Sequence, residues 1–231
     1  MISRISSSVL CLSTADSEVV ATAIVWDYTA NHVLLLTNYH TWDSDEFRYC
    51  FPPKPKKNNK KRKSGEMENV PVTLKLRNEN GFHFEFDVVT DAFQFYDKKE
   101  DFAVLKLPKD GFTMSRIPVT YDVSLTMKIH AFGYIGHTNE FNVSGGEISG
   151  FIPNGFTMNF LSAGGYSGAA IVADGHGRAV GYMGGNLDSS HGKNSQHQSY
   201  AFRFDVVVLR TNRKPSPTNS PSKNVGSKSA K

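Results

Sequence analysis

What most constrains this chain is its punctuation. Short apolar or β-branched runs recur from end to end, and glycine, proline, Asn or Asp cuts each one off after about ten residues or fewer. Val19–Val25 and His32–Thr37 are split by the turn-forming Thr29-Ala30-Asn31, and similar runs follow at Val72–Arg77 and Phe82–Val89. In the last of these Phe82, Phe84 and Phe86 alternate with His83, Glu85 and Asp87, the two-residue period of a half-buried strand. Further runs lie at Phe102–Leu107, Lys128–Phe132, Gly146–Ile152, Phe156–Phe160, Gly168–Ala173, Arg178–Met183 and Ser199–Val207. Only Phe204–Leu209 suggests a helix, a short terminal one; elsewhere no long segment repeats its apolar residues every 3.6 positions. Many short strands at this spacing predict an all-β sandwich or barrel. With 231 residues, 39% of them hydrophobic, the chain suits one all-β domain or at most two small ones, and wholesale disorder is excluded.

Charge divides the chain unevenly. Lys54–Lys63 holds seven basic residues and no acid, and the stretch from Arg210 to Lys231 holds six more, again without an acid. The other thirteen basic residues face 22 acids, so the body carries about −9. The expected organisation is an ordered domain over 1–210, a basic loop insertion at 51–68, and a disordered basic tail at 211–231 too rich in Pro, Ser and Lys to bury a core. No apolar run reaches the roughly 20 residues that span a bilayer, and the N-terminal apolar stretch is too short for a secretory leader. Cys11 and Cys50 supply neither a disulfide framework nor a four-ligand zinc site. These features point to an intracellular, cytoplasmic protein, with the lysine run suggesting the nucleus as a second address.

Three stretches carry chemistry, in the order His, Asp, Ser. Leu34-Leu35-Leu36-Thr37-Asn38-Tyr39-His40 is an apolar strand delivering a histidine; Asp101-Phe102-Ala103-Val104-Leu105-Lys106-Leu107 is an aspartate opening a strand. Gly164-Gly165-Tyr166-Ser167-Gly168 sets a serine among glycines ahead of a third apolar run. Alone, each is more simply a cap or a tight turn. Together they are the parts of a nucleophilic site. A serine hydroxyl needs an imidazole to accept its proton, and the imidazole needs a carboxylate to fix its tautomer and stabilise its charged form. Glycines beside the serine let the backbone turn its amides toward a developing oxyanion, with Gly165 N–H and Ser167 N–H as the donors. Asp87, Asp91 and Asp97 are rival acids, but only Asp101 is followed by the alternating apolar strand.

These blocks resemble the three signatures of trypsin/chymotrypsin-like serine proteases, in the style of the Deg-type and viral branches. Ser7–Leu12 with Ala21–Val25, Ile129–Gly133, and Val143–Gly150 extend the likeness over about residues 5–210. The resemblance implies two antiparallel six-stranded β-barrels, the first at about 5–110 and the second at about 120–210. His40 and Asp101 would come from the first, Ser167 from the second. It also implies Leu161 as the floor of the primary specificity pocket, with Tyr182 and Gly184 on the strand that pairs with substrate. An apolar floor disfavours Arg or Lys substrates, since a buried cation would lack its counter-charge. Tyr166 stands where secreted members carry the Asp that receives a freshly cut N-terminus, so activation of that kind is not expected here.

The function expected is a serine endopeptidase acting on polypeptides without metal or other cofactor. A viral polyprotein-processing role is suggested by the disulfide-free build, the Gly-Tyr-Ser-Gly-Ala block and the basic tail. The alternative is a catalytically silent protease-like fold that binds partners, nucleic acid or another acidic surface among them, through Lys54–Lys63. Against it, that run contains no aromatic residue for base stacking. His191 and His197 sit in a polar stretch and belong to no metal-binding motif.

Overall fold

The computed structural model describes residues 5–14, 19–43, 72–88, 92–187 and 198–211. The 51–68 insertion, Asp91, His191, His197 and the tail past 211 lie outside the described residues. Thirteen strands appear in chain order: β1 (Val9–Thr14), β2 (Val19–Tyr28), β3 (His32–Thr37), β4 (Val72–Arg77), β5 (His83–Val88), β6 (Phe93–Asp97), β7 (Phe102–Pro108), β8 (Lys128–Tyr134), β9 (Phe141–Ile152), β10 (Gly155–Met158), β11 (Ala170–Ala173), β12 (Arg178–Asn186) and β13 (Ser199–Arg203). A 3₁₀ turn covers His40–Trp42, and an α-helix, α1 (Phe204–Thr211), follows β13.

The strands form two antiparallel sheets. The second is a closed barrel in the order β10-β13-β12-β11-β8-β9, as expected. The first is a seven-stranded sheet, β5-β4-β1-β2-β3-β7-β6, curled into a half-barrel, so the expected double-barrel plan holds although this half is not a closed six-stranded barrel. The difference arises because β5 pairs with β4 while β6 pairs with β7, so two separate short strands end the sheet.

Packing explains why so many strands read as continuous apolar runs instead of strict alternations. In β3, Val33 and Leu35 face the interior of the first sheet with Leu10, Leu12, Leu74 and Leu105. Leu34 and Leu36 face the other way, into a cluster shared with Phe132, Tyr134, Ala170, Tyr182 and Phe204 of the second barrel. Likewise Ile129, Ala131 and Ile171 fill the second barrel's own interior. Successive side chains point to opposite faces of a strand, so a strand buried on both faces is apolar throughout. The seam between the sheets is therefore a packed core, and it fixes one half of the molecule against the other. β5 is solvated on one face and alternates accordingly, with His83, Glu85 and Asp87 exposed and Phe84 and Phe86 turned in.

Candidate active site

β3 ends at Thr37, and the chain turns through Asn38 and Tyr39 into the 3₁₀ turn that begins with His40. Trp42, fully buried and edge-on to Phe93 at 5.2 Å, anchors that turn to the first sheet. Asp101 closes the tight turn between β6 and β7, where Asp97 Oδ1 accepts the amides of Lys99 (2.9 Å) and Glu100 (3.2 Å). Asp101 itself adopts φ +48°, an uncommon conformation for a residue with a side chain. Ser167 occupies the turn leading into β11.

The two sheets bring these residues together. Asp101 Oδ2 lies 2.8 Å from His40 Nδ1, and Oδ1 accepts the His40 backbone N–H at 2.8 Å. His40 Nε2 lies 2.8 Å from Ser167 Oγ. With Nδ1–H donating to the carboxylate, Nε2 is left as the acceptor for the serine hydroxyl. The His40 side chain is 47% exposed while that of Asp101 is 15% exposed, so the imidazole faces the cleft and the carboxylate is shielded behind it. Of the rival acids, Asp87 accepts Thr73 Oγ1 at the opposite edge of the first sheet and Asp97 caps its own turn.

Several contacts in this arrangement are not legible in the local sequence. Asn38 Nδ2 donates to Asp101 twice, at 3.0 Å to Oδ2 and 3.2 Å to its carbonyl. Thr22, fully buried on β2, is a junction between the sheets. Its N–H donates to Ser167 O (2.9 Å), its Oγ1 donates to Gly165 O (2.9 Å) and accepts Tyr134 N–H (3.0 Å), and its carbonyl accepts Thr37 Oγ1 (2.8 Å). Gly168, at φ +85°, lies so close to the Thr22 carbonyl that a Cβ would collide with it. Gly165, at φ +90°, packs against Gly136 N and Tyr134 O, leaving no room for a side chain. Gly164 O accepts Gly136 N–H at 2.6 Å, whereas the amides of Gly165 and Ser167 have no acceptor among the described residues. Tyr166 is buried, and its hydroxyl donates to Asn142 Oδ1 on β9 at 2.5 Å. Burial pushes that hydroxyl's pKa upward, so it remains a donor.

A family model for the trypsin-like peptidase domain matches residues 21–181, more than half of the chain. The chain belongs to the trypsin-like peptidase family. Solved structures resemble this peptidase domain in fold. A serine endoprotease from Yersinia pestis superposes with a TM-score of 0.62 at 16% identity, covering 91% of this chain and 64% of its own. Deg5 gives 0.60 at 19% identity, with 90% and 88% covered. The HtrA-type protease AlgW with a tripeptide gives 0.63 at 18%, with 91% and 61% covered. This chain thus spans less than two thirds of the Yersinia pestis protein. No curated sequence matches it.

Around the cleft of the peptidase domain the residues expected to bind substrate separate. Gly184 lies in a cleft of about 460 Å³ with His40, Asp101, Lys98, Tyr200 and Phe202. Tyr200 packs so closely on Gly184 that any larger residue there would overlap its ring. β11 accompanies β12 only as far as Tyr182, while β13 continues to Asn186. The β11-side edge of Gly184–Asn186 therefore has no partner strand among the described residues. Tyr182, by contrast, is fully buried, paired to strands on both sides, and donates its hydroxyl to Glu100 O at 3.2 Å. Leu161 is 50% exposed rather than enclosed. Its loop is fixed by Asn186, whose Oδ1 accepts Ser162 N–H (2.8 Å), Ser162 Oγ (2.9 Å) and Ser199 Oγ (2.8 Å). No group of three or more metal-ligating side chains lies together among the described residues, and none of their helices is long and apolar enough to cross a membrane.

Proposed function

We propose that this protein is a serine endopeptidase that cleaves polypeptides through an acyl-enzyme, with Ser167 as nucleophile, His40 as general base and then acid, and Asp101 as the carboxylate that orients His40. The reading is carried by one observation, the unbroken run of 2.8 Å contacts from Asp101 Oδ2 through the imidazole to Ser167 Oγ. As Ser167 Oγ attacks the scissile carbonyl, its proton passes to His40 Nε2. Asp101 stabilises the resulting imidazolium without taking the proton itself. The amides of Gly165 and Ser167 receive the oxyanion, each worth roughly 3–4 kcal/mol in the transition state. His40 then protonates the departing amine, and water, activated by the same imidazole, releases the acyl group.

Substrate would bind extended along the open edge of Gly184–Asn186 as an added β-strand. Leu161 would face the residue preceding the cut, which we take to be uncharged, and Tyr182 would contribute from behind through its hydrogen bond to Glu100 O. Processing of a viral polyprotein is the finer form of this proposal and rests on the sequence features alone. The binding-module alternative depends on Lys54–Lys63, outside the described residues.

Labelling with a fluorophosphonate probe tests the reading. The wild type should be labelled stoichiometrically and Ser167→Ala not at all. His40→Ala should lose nearly all turnover, leaving roughly 10³–10⁴-fold over water. A folded wild type that is not labelled, or full activity in His40→Ala, would overturn the assignment.

A further inference from the structure

Immediately before Asp101 stands Glu100, a carboxylate the chemistry above does not use and only 4% exposed. A charge that deep persists only where it is paired and hydrogen-bonded. Its partners come from distant parts of the chain. Asn154 Nδ2, in the β9–β10 turn, donates to Oε2 at 2.7 Å across 54 residues; Arg210 Nη2, in α1, donates to Oε1 at 3.0 Å across 110 residues. Its backbone carbonyl accepts the Tyr182 hydroxyl from β12. Arg210 Nε also lies 3.6 Å from Asp97 Oδ2, and Asp97 is the residue that caps the same turn. Three elements of the second half of the molecule thus grip one residue of the first, and that residue is the direct neighbour of Asp101.

We propose that Glu100, Arg210 and Asn154 form a latch that positions Asp101, and so sets the register between the half of the site bearing His40 and the half bearing Ser167. Two features make this turn the place where a latch matters. Asp101 is held at φ +48°, which its own backbone does not favour, so the surrounding contacts must impose it. The site is also split, with His40 and Asp101 on one sheet and Ser167 on the other, so its geometry depends on how the halves are joined. The latch residues touch no reacting atom. They are positioning residues that act through Asp101, and the proposal rests on the serine endopeptidase reading.

The test uses the full chain with Glu100→Gln, Arg210→Gln and Asn154→Gly, the last preserving the turn's φ of +63° while removing the amide. Two readouts are taken: saturation kinetics of fluorophosphonate labelling, and the low-field proton resonance of His40 Nδ1–H, which does not depend on turnover. Each variant should still label to full stoichiometry, with KI within about twofold of wild type. The maximal labelling rate should fall at least tenfold, since about 1 Å of misplacement costs roughly 10²-fold. The resonance should broaden, and Glu100→Gln/Arg210→Gln should be no slower than the worse single variant. Should Glu100→Gln not fold, Arg210, half-exposed on α1, and Asn154 carry the test. Folded Arg210→Gln and Asn154→Gly with rates within about twofold of wild type and an unchanged resonance would overturn the latch. If the wild type is not labelled at all, the endopeptidase reading fails, and the resonance alone decides the latch: broadening in the variants supports it, no change refutes it.

Discussion

Thr22→Val isolates the junction that joins the two halves of the site. The substitution keeps the side chain's shape and removes one hydroxyl. That hydroxyl makes two bonds, donating to Gly165 O at 2.9 Å and accepting Tyr134 N–H at 3.0 Å, in a fully buried position. Valine would leave both backbone groups without these partners. Each such group costs about 1–3 kcal/mol, offset by roughly 1 kcal/mol for the methyl that replaces the hydroxyl. The net expected loss is about 3 kcal/mol. Because the Gly165 carbonyl belongs to the turn that carries both amides proposed to receive the oxyanion, turnover should fall about 10–100-fold, the loss of roughly one amide's stabilisation or less. Thr22→Ser, which keeps both bonds and loses only a methyl, should cost about 1 kcal/mol. Urea unfolding in a Ser167→Ala background, which suppresses self-cleavage, measures the stability terms; fluorophosphonate kinetics on the Ser167-containing proteins measure the rate. A Thr22→Val protein within about 0.5 kcal/mol of its parent, labelling at the parental rate, would refute the reasoning.

Asp101→Asn should preserve the fold yet lower turnover by about 10⁴-fold, because the amide no longer fixes the His40 tautomer; a loss below tenfold would remove Asp101 from its role. Tyr166→Phe deletes the hydroxyl that ties the Ser167 turn to Asn142, and should cost about 1 kcal/mol in urea unfolding while slowing labelling. An unchanged labelling rate would mean the turn holds itself. Gly184→Ala should impair cleavage of extended peptides far more than reaction with the small phosphonate probe, since only the peptide needs the strand edge beside Tyr200; equal losses would argue against that edge. Stability should also fall in alkali. Burial raises the Cys11 thiol from 9.0 to about 11, so the folded chain keeps a proton that the unfolded chain releases. The contribution is whole below pH 9 and is lost as pH climbs toward 11, about 3 kcal/mol in all. Urea midpoints at about pH 8 and pH 10.5 should differ more for the wild type than for Cys11→Ala, and identical slopes would contradict this account.

The resemblance drawn from the three short blocks named three residues that the fold brings within hydrogen-bond reach, and particular elements show why it stopped there. The strand at Phe93–Asp97 was not anticipated, because it is only partly buried and lies among charged residues with little alternation. β9 extends back to Phe141, through Asn142, Ser144 and two glycines that favour no strand locally. Pairing with β8 along seven residues overrides that preference. Tyr182 was expected on a substrate-facing strand, yet that part of β12 is enclosed by β11 and β13, and the open edge begins only past it. The contacts made by Thr22, Asn142, Glu100 and Arg210 have no local signal, since each acts on a partner well removed along the chain.

Local order determined the strand-rich class, the turns and the choice of the three side chains proposed to react, because periodicity, glycine placement and a functional group's neighbours are all written within a few residues. Which acid meets the histidine, which strand edge stays open, and what holds the two halves in register were decided only by folding. The first and last of these depend on contacts between residues 50 to 150 positions apart, such as Thr22 with Gly165 and Glu100 with Arg210. Whether such pairs meet is governed by the packing of a whole apolar seam rather than by any stretch of chain that contains them.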